Sequence, residues 1–181
     1  MLLQNPDKQE PNISKSAWIS ETAIVLGNVT IGDNVYVAHN AVIRADEPGS
    51  SIVIGDNCNI QDGVILHGLS GSEVVIKDNT SLAHGCIVHG PCTLGSGCFI
   101  GFGAVVFDCN VGDDVVILHN ATVRGVEIPS CRVINDGQVI VNQEAVEGLD
   151  DICSDLEKFK ASVINANLDL IKGYTDLACK K

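Results

Sequence analysis

The sequence predicts a mainly β protein, a left-handed parallel β-helix of hexapeptide repeats followed by a C-terminal α-helix. Three observations carry that reading. From residue 25 the chain falls into hexads that open on Val, Ile or Leu, such as "VLGNVT", "IGDNVY" and "VAHNAV". Gly, Asp and Asn fill the turn positions, where positive φ or side-chain-to-backbone bonds are needed. Near residue 148 the apolar spacing changes from six to steps of three and four, the period of a helix.

The hexads run through roughly residues 13 to 140. Each supplies one short strand, and three strands close one coil of about eighteen residues. The opening aliphatic points inward, and a small fifth residue fits the narrow axis. Such coils are the known exception to right-handed parallel crossovers. Residues 1–148 form the β-helix, and 149–181 a helix packed on it, within one structural domain. Ile152, Leu156, Phe159, Val163, Ala166, Leu170, Tyr174 and Leu177 form the expected apolar stripe. The helix is expected to start near Asp150 and Asp151, since acids favour a helix N-terminus.

Composition narrows the function. Aromatics are only 4% of residues, so the core is built from small aliphatics, as a narrow solenoid requires. A formal net charge of −12 argues against nucleic acid and anionic membrane surfaces as partners. No apolar run is long enough for a transmembrane helix, and "MLLQNPDKQEPNIS" does not read as a secretory signal. A cytoplasmic protein is expected. Of eight cysteines, Cys58, Cys86, Cys92 and Cys98 fall at the fifth hexad position, and no CxxC pair occurs. They are expected to be reduced, buried and structural.

Labelling the three sides a, b and c, with Val25 opening side a, places the histidines. His67 and His89 are both second residues of side-a hexads on adjacent coils, about 4.8 Å apart and within reach of one metal ion. Their column reads Arg44, His67, His89, Phe107, Arg124. His84 is the third residue of a side-c hexad, roughly 10 Å from His89 along the chain. It is not expected to share a metal with that pair inside one subunit. Around a threefold axis, side c of one copy can face side a of the next, bringing three imidazoles together with a fourth position open. His39 and His119 share the position of His84 but lack an aligned pair, and are left out.

Four motifs then identify a resemblance: "IRADE" (43–47), "NIQDGVILHG" (59–68), "LAHGCIVHGP" (82–91) and "CFIGFGAVVF" (98–107). Together they resemble the gamma-class carbonic anhydrases over nearly the whole chain. The resemblance implies reversible hydration of CO2 to bicarbonate by a metal-bound hydroxide at the interfaces of a homotrimer. Its metal ligands are His67 and His89 of one subunit and His84 of its neighbour. The ion is expected to be Zn2+, with Fe2+ or Co2+ also suited to imidazole. The resemblance further implies bicarbonate handling by Arg44, which pairs with Asp46 and Asp62 at the interface. It makes Glu47, Gln61 and Asn167 catalytic groups around water and substrate. Founding members carry an acidic loop after the first histidine; here that loop is "GLSGSE", with Glu73 its sole acid. A tyrosine of the family's helix is replaced by Asn165. Two other readings remain open at this point. One is a metal-holding trimeric assembly or binding module without catalysis. The other is a hexapeptide acyltransferase using one histidine as general base.

Overall fold

A computed structural model describes residues 1–178 and has the expected architecture, a three-sided parallel β-solenoid of about seven turns with a helix along one side. Side a stacks Val25, Ile43, Leu66, Val88, Val106, Val123 and Ile140 in continuous parallel register. All seven are buried, as hexad-opening residues should be. Side c stacks Ile19, Val37, Ile60, Leu82, Ile100, Ile117 and Ile134 in the same way. Each such side chain contributes about 1.5–3 kcal/mol by leaving water, so the interior is one continuous apolar column. The solenoid begins earlier than the hexads suggest, because Leu2–Leu3 pairs with Val25 and Leu26.

The corners explain the turn residues. The fourth hexad position takes φ near +55°, at Asn34, Asn57, Asn79 and Asp114 between sides b and c, and at Asn40 and Asn120 between sides c and a. Gly85 occupies the same place with φ +68°, and a Cβ there would meet nothing within 4 Å. Conformation, and not space, selects glycine there. The third position carries side chains that tie one coil to the next: Asp33 N donates to Asp56 Oδ1, Asp56 N to Asp78 Oδ1, and His119 N to Asp136 Oδ1.

Two features differ from expectation. Asp150–Asp151 is a short strand, antiparallel to Arg132–Val133, and Arg132 pairs with Asp151. It covers the last coil, and the long helix starts only after it. The short helix α1 spans Gln143–Val146, and α2 spans Ser154–Ala178 with Asp155 and Glu157 in its first turn. The last residues of the helical segment expected over 149–181 lie outside the described residues.

The C-terminal segment packs on side c through part of the expected stripe, Ile152, Leu156, Val163 and Tyr174. Leu156 and Val163 lie on Phe99, Val116 and Val133, while Leu168, Ile171 and Tyr174 lie on Trp18, Tyr36 and Ala38. Tyr174 stacks on Trp18 at 4.3 Å. Between these contacts the buried seam is polar. Lys160 donates to Gly97 O (2.8 Å) and Asp114 Oδ1 (2.9 Å), and Asn167 is 6% exposed. Phe159, Ala166, Leu170 and Leu177 of the expected stripe are exposed instead. A hydrophobicity pattern cannot register polar groups that the solenoid satisfies.

The cysteines within the hexads behave as the repeat implies, whereas Cys131 and Cys153 are exposed. Cys58, Cys86, Cys92, Cys98 and Cys109 are buried and free. Cys58 Sγ donates to Lys77 O (3.1 Å) and Cys98 Sγ to Gly112 O (3.2 Å). Burial pushes the thiols of Cys58, Cys86, Cys92 and Cys98 up to about 12, which makes them poor nucleophiles and ligands. No described helix is long and apolar enough to cross a membrane.

Candidate metal centre

Two groups of side chains stand out, and the coil separates them. The first lies on side a. The register aligns Arg44, His67 and His89 on successive coils. His67 Nδ1 lies 2.9 Å from His89 Nε2, and the rings meet edge-on. His89 Nδ1 lies 3.0 Å from Gly90 O, so Nδ1 holds the proton there and Nε2 presents a lone pair. His67 Nε2 faces Glu47 Oε1 at 3.2 Å, yet it is buried and the approach lacks hydrogen-bond alignment. Two neutral imidazoles carry two ring protons, and this arrangement has three places for one. Burial first, then the Arg44 guanidinium and His89, hold the His67 pKa below the usual histidine range. His67 is therefore kept neutral, and its Nε2 and the Glu47 carboxylate face each other with no proton between them. A bound cation relieves that deficit, so these donors fit a divalent metal.

Glu47 is not the loose acid that its loop suggests. Ser70 N donates to its Oε2 (2.8 Å), and Gly71 N ties the two loops through Pro48 O (2.9 Å). The short "GLSGSE" loop thus clamps Glu47 beside His67. Its own acid, Glu73, turns to side b and accepts from Ser51 Oγ (3.0 Å). Arg44 Nε donates to Asp46 Oδ1 at 2.9 Å, the pairing expected of Asp46.

The second group lies on side c and under α2. His84 Nδ1 meets Asp62 Oδ2 at 3.0 Å. A proton on Nδ1, donated to the carboxylate, leaves Nε2 as the ligand nitrogen. Within the chain Asp62 serves His84, and not Arg44. Gln61 Nε2 donates to Asn167 Oδ1 (2.7 Å) and Asn59 Oδ1 (2.5 Å), so both amide protons are used inside the chain. Its carbonyl oxygen is what it can offer a ligand. Asn167 is fixed in turn by donating to Val163 O (2.7 Å).

His119 differs from His84 in a way that justifies leaving it out. Its Nδ1 accepts from Phe102 N (3.0 Å), which fixes the proton on Nε2 and makes that nitrogen a donor. His39 Nδ1 bonds the hydroxyls of Ser20 and Thr22. Two residues of the site were not anticipated. Asn59 could have been found, since it lies two residues from Gln61 on the same strand face. Ser70 could not, because it acts through its backbone N–H. Among the described residues, no three potential ligands of one chain converge. The structure brings together Arg44, Asp46, Glu47, His67 and His89, and separately Gln61, Asp62, His84 and Asn167.

The fold and its repeats define a hexapeptide-repeat protein: the bacterial transferase hexapeptide (six repeats) family matches residues 10–45 and 73–107. A putative acetyltransferase of Bacillus cereus superposes with a TM-score of 0.83 over 97% of both chains, at 22% identity, which speaks for the fold alone. A carbonic anhydrase of Methanosarcina thermophila is 37% identical over 95% of this chain and 78% of its own length. The carboxysome assembly protein CcmM of Nostoc sp. is also 37% identical over 95% of this chain, which spans only about a third (33%) of that protein. The chain belongs to the gamma-class carbonic anhydrase family.

Proposed function

We propose that this protein hydrates CO2 reversibly to bicarbonate at metal sites shared between the subunits of a homotrimer. The observation that supports this best is the split site: an aligned His67–His89 pair with a buried, unpartnered His67 Nε2 on one face, and a carboxylate-backed His84 on another. His67 and His89 of one copy and His84 of the partner subunit would hold the metal. When bound, a divalent ion there supplies the Lewis acidity that makes water nucleophilic near neutral pH. Zinc is the expected ion; Fe2+ and Co2+ suit the same imidazoles.

The chain's own groups divide the remaining work. Glu47, held by Ser70 through one oxygen, keeps the other beside His67 to orient water or take its proton. Gln61 offers only an acceptor oxygen, so it can fix a water by its hydrogen without titrating. Asn167 holds Gln61 in that posture. Arg44 supplies positive charge for the anionic product, partly neutralised by Asp46. With Glu73 turned to side b, protons leave through Glu47 or directly to buffer.

Metal content and CO2 hydration measured on one anaerobically purified sample test the proposal. One metal per chain with buffer-dependent hydration is expected, and His84→Ala should lose the metal. Clearly less than one metal per chain, or full metal retention in His84→Ala at intact trimer, would contradict it. Full metal without hydration would favour a second reading, a non-catalytic assembly module, which the similarity to a carboxysome assembly protein supports. An acyltransferase reading has only the shared fold behind it.

A further inference from the structure

The coil geometry carries the proposed interface beyond the metal. Copies related by a threefold axis along the solenoid meet at equal heights, because every coil rises by the same strand spacing. Once the side-c corner of one copy lies against side a of the next, counting along the coil fixes what faces what. His84 lies on the coil between His67 and His89, as a shared site requires. The same corner continues with Phe102, His119 and Asp136, and the same face with Phe107 and Arg124.

This continuation repeats the arrangement around Arg44. Arg44 opens a coil whose side-c corner bears Asp62, and Arg124 opens a coil whose corner bears Asp136. Arg124 is exposed and pairs with no carboxylate among the described residues. Asp136 is exposed too; its Oδ1 accepts from His119 N (2.8 Å), and Oδ2 has no partner there. Between these levels stand two phenylalanines on the facing surfaces. Phe102 is 48% exposed at the corner, stacked on His119 at 4.3 Å. Phe107 lies edge-on to His89 at 5.1 Å. An exposed aromatic beside a ligand histidine, facing another aromatic at a neighbouring height, is suited to exclude water from that side of the site.

We propose that, in the trimer, Phe102 of one copy packs on Phe107 of the next, and that beyond them Arg124 pairs with Asp136 of the partner subunit. The metal site is then bracketed, with Arg44 and Asp62 on one side and Arg124 and Asp136 on the other. This rests on the trimeric metal-centre reading and adds the register of its interface. Partly buried interfacial pairs contribute measurably to both affinity and register.

The test is a double-mutant cycle on the metal-loaded protein, read by sedimentation equilibrium. Arg124→Gln and Asp136→Asn remove the charges, and asparagine keeps the acceptor that His119 N–H needs. Each single variant should dissociate at protein concentrations about tenfold higher than the native trimer, and the double variant should be no worse than either single one. The swap of Arg124→Asp with Asp136→Arg should restore assembly in part. Phe102→Ala should release metal faster while leaving the fold intact by circular dichroism. Single variants that assemble like the native trimer, or effects that simply add, overturn the pairing while leaving the metal centre standing. A native protein that is not trimeric overturns the metal-centre reading as well.

Discussion

The two halves of the proposed metal centre differ in how completely one chain builds them. On side a, His67 is 15% exposed, aligned by parallel register with His89 and faced by a clamped Glu47. On side c, the His84 side chain is 53% exposed at a corner, and Asp62 is its hydrogen-bonding partner among the described residues. Gln61 beside it depends on a helix arriving from 106 residues away in sequence. The solenoid alone makes the first half. The second half needs a carboxylate, a docked helix and, in the proposed trimer, another copy of the chain. Strand register orders neighbouring coils at no added cost, whereas a corner residue must be held by its side-chain contacts.

That contrast can be sharpened by perturbing the weaker half. Asp62→Ala removes the acceptor that orients His84 and leaves the contacts that His67 and His89 make within their own chain untouched. Metal affinity should fall about 10–100-fold, measured by competition with a chelator, while a double variant with His84→Ala should bind no worse than His84→Ala alone. Equal affinity in Asp62→Ala and the native protein would mean that His84 needs no carboxylate to reach the metal. A smaller effect is expected from Asn167→Ala. It frees Gln61 from the helix, so CO2 hydration should drop with metal content unchanged. The lost buried bond should lower stability by about 1 kcal/mol in urea unfolding. Loss of metal in this variant would place Asn167 closer to the ligands than the present contacts do.

Much of this was legible in the sequence because a solenoid turns counting into geometry. The hexads assigned each histidine to a side, and the register places His67 against His89 as counted. The same counting separated His84 from them. Features that depend on polar satisfaction were not legible. The helix face was assigned from apolar spacing, but the buried seam includes Lys160 and Asn167, whose polar groups meet Gly97, Asp114 and Gln61. The "GLSGSE" loop reads as a missing acidic loop, while its Ser70 N–H holds Glu47. Asp150 and Asp151 have the composition of a helix start, yet the open edge of Arg132–Val133 takes them as a strand.

The central claim is that one chain holds two half-sites that cannot meet within it. Mixing His67→Ala and His84→Ala variants tests this most directly. Neither alone has an intact site, but after joint unfolding and refolding each mixed trimer contains a complete pairing of side a from one variant with side c from the other. Random assembly should restore about a quarter of the native metal content, and hydration in proportion. If the refolded mixture binds no more metal than either variant alone, the three histidines do not form a site shared between subunits.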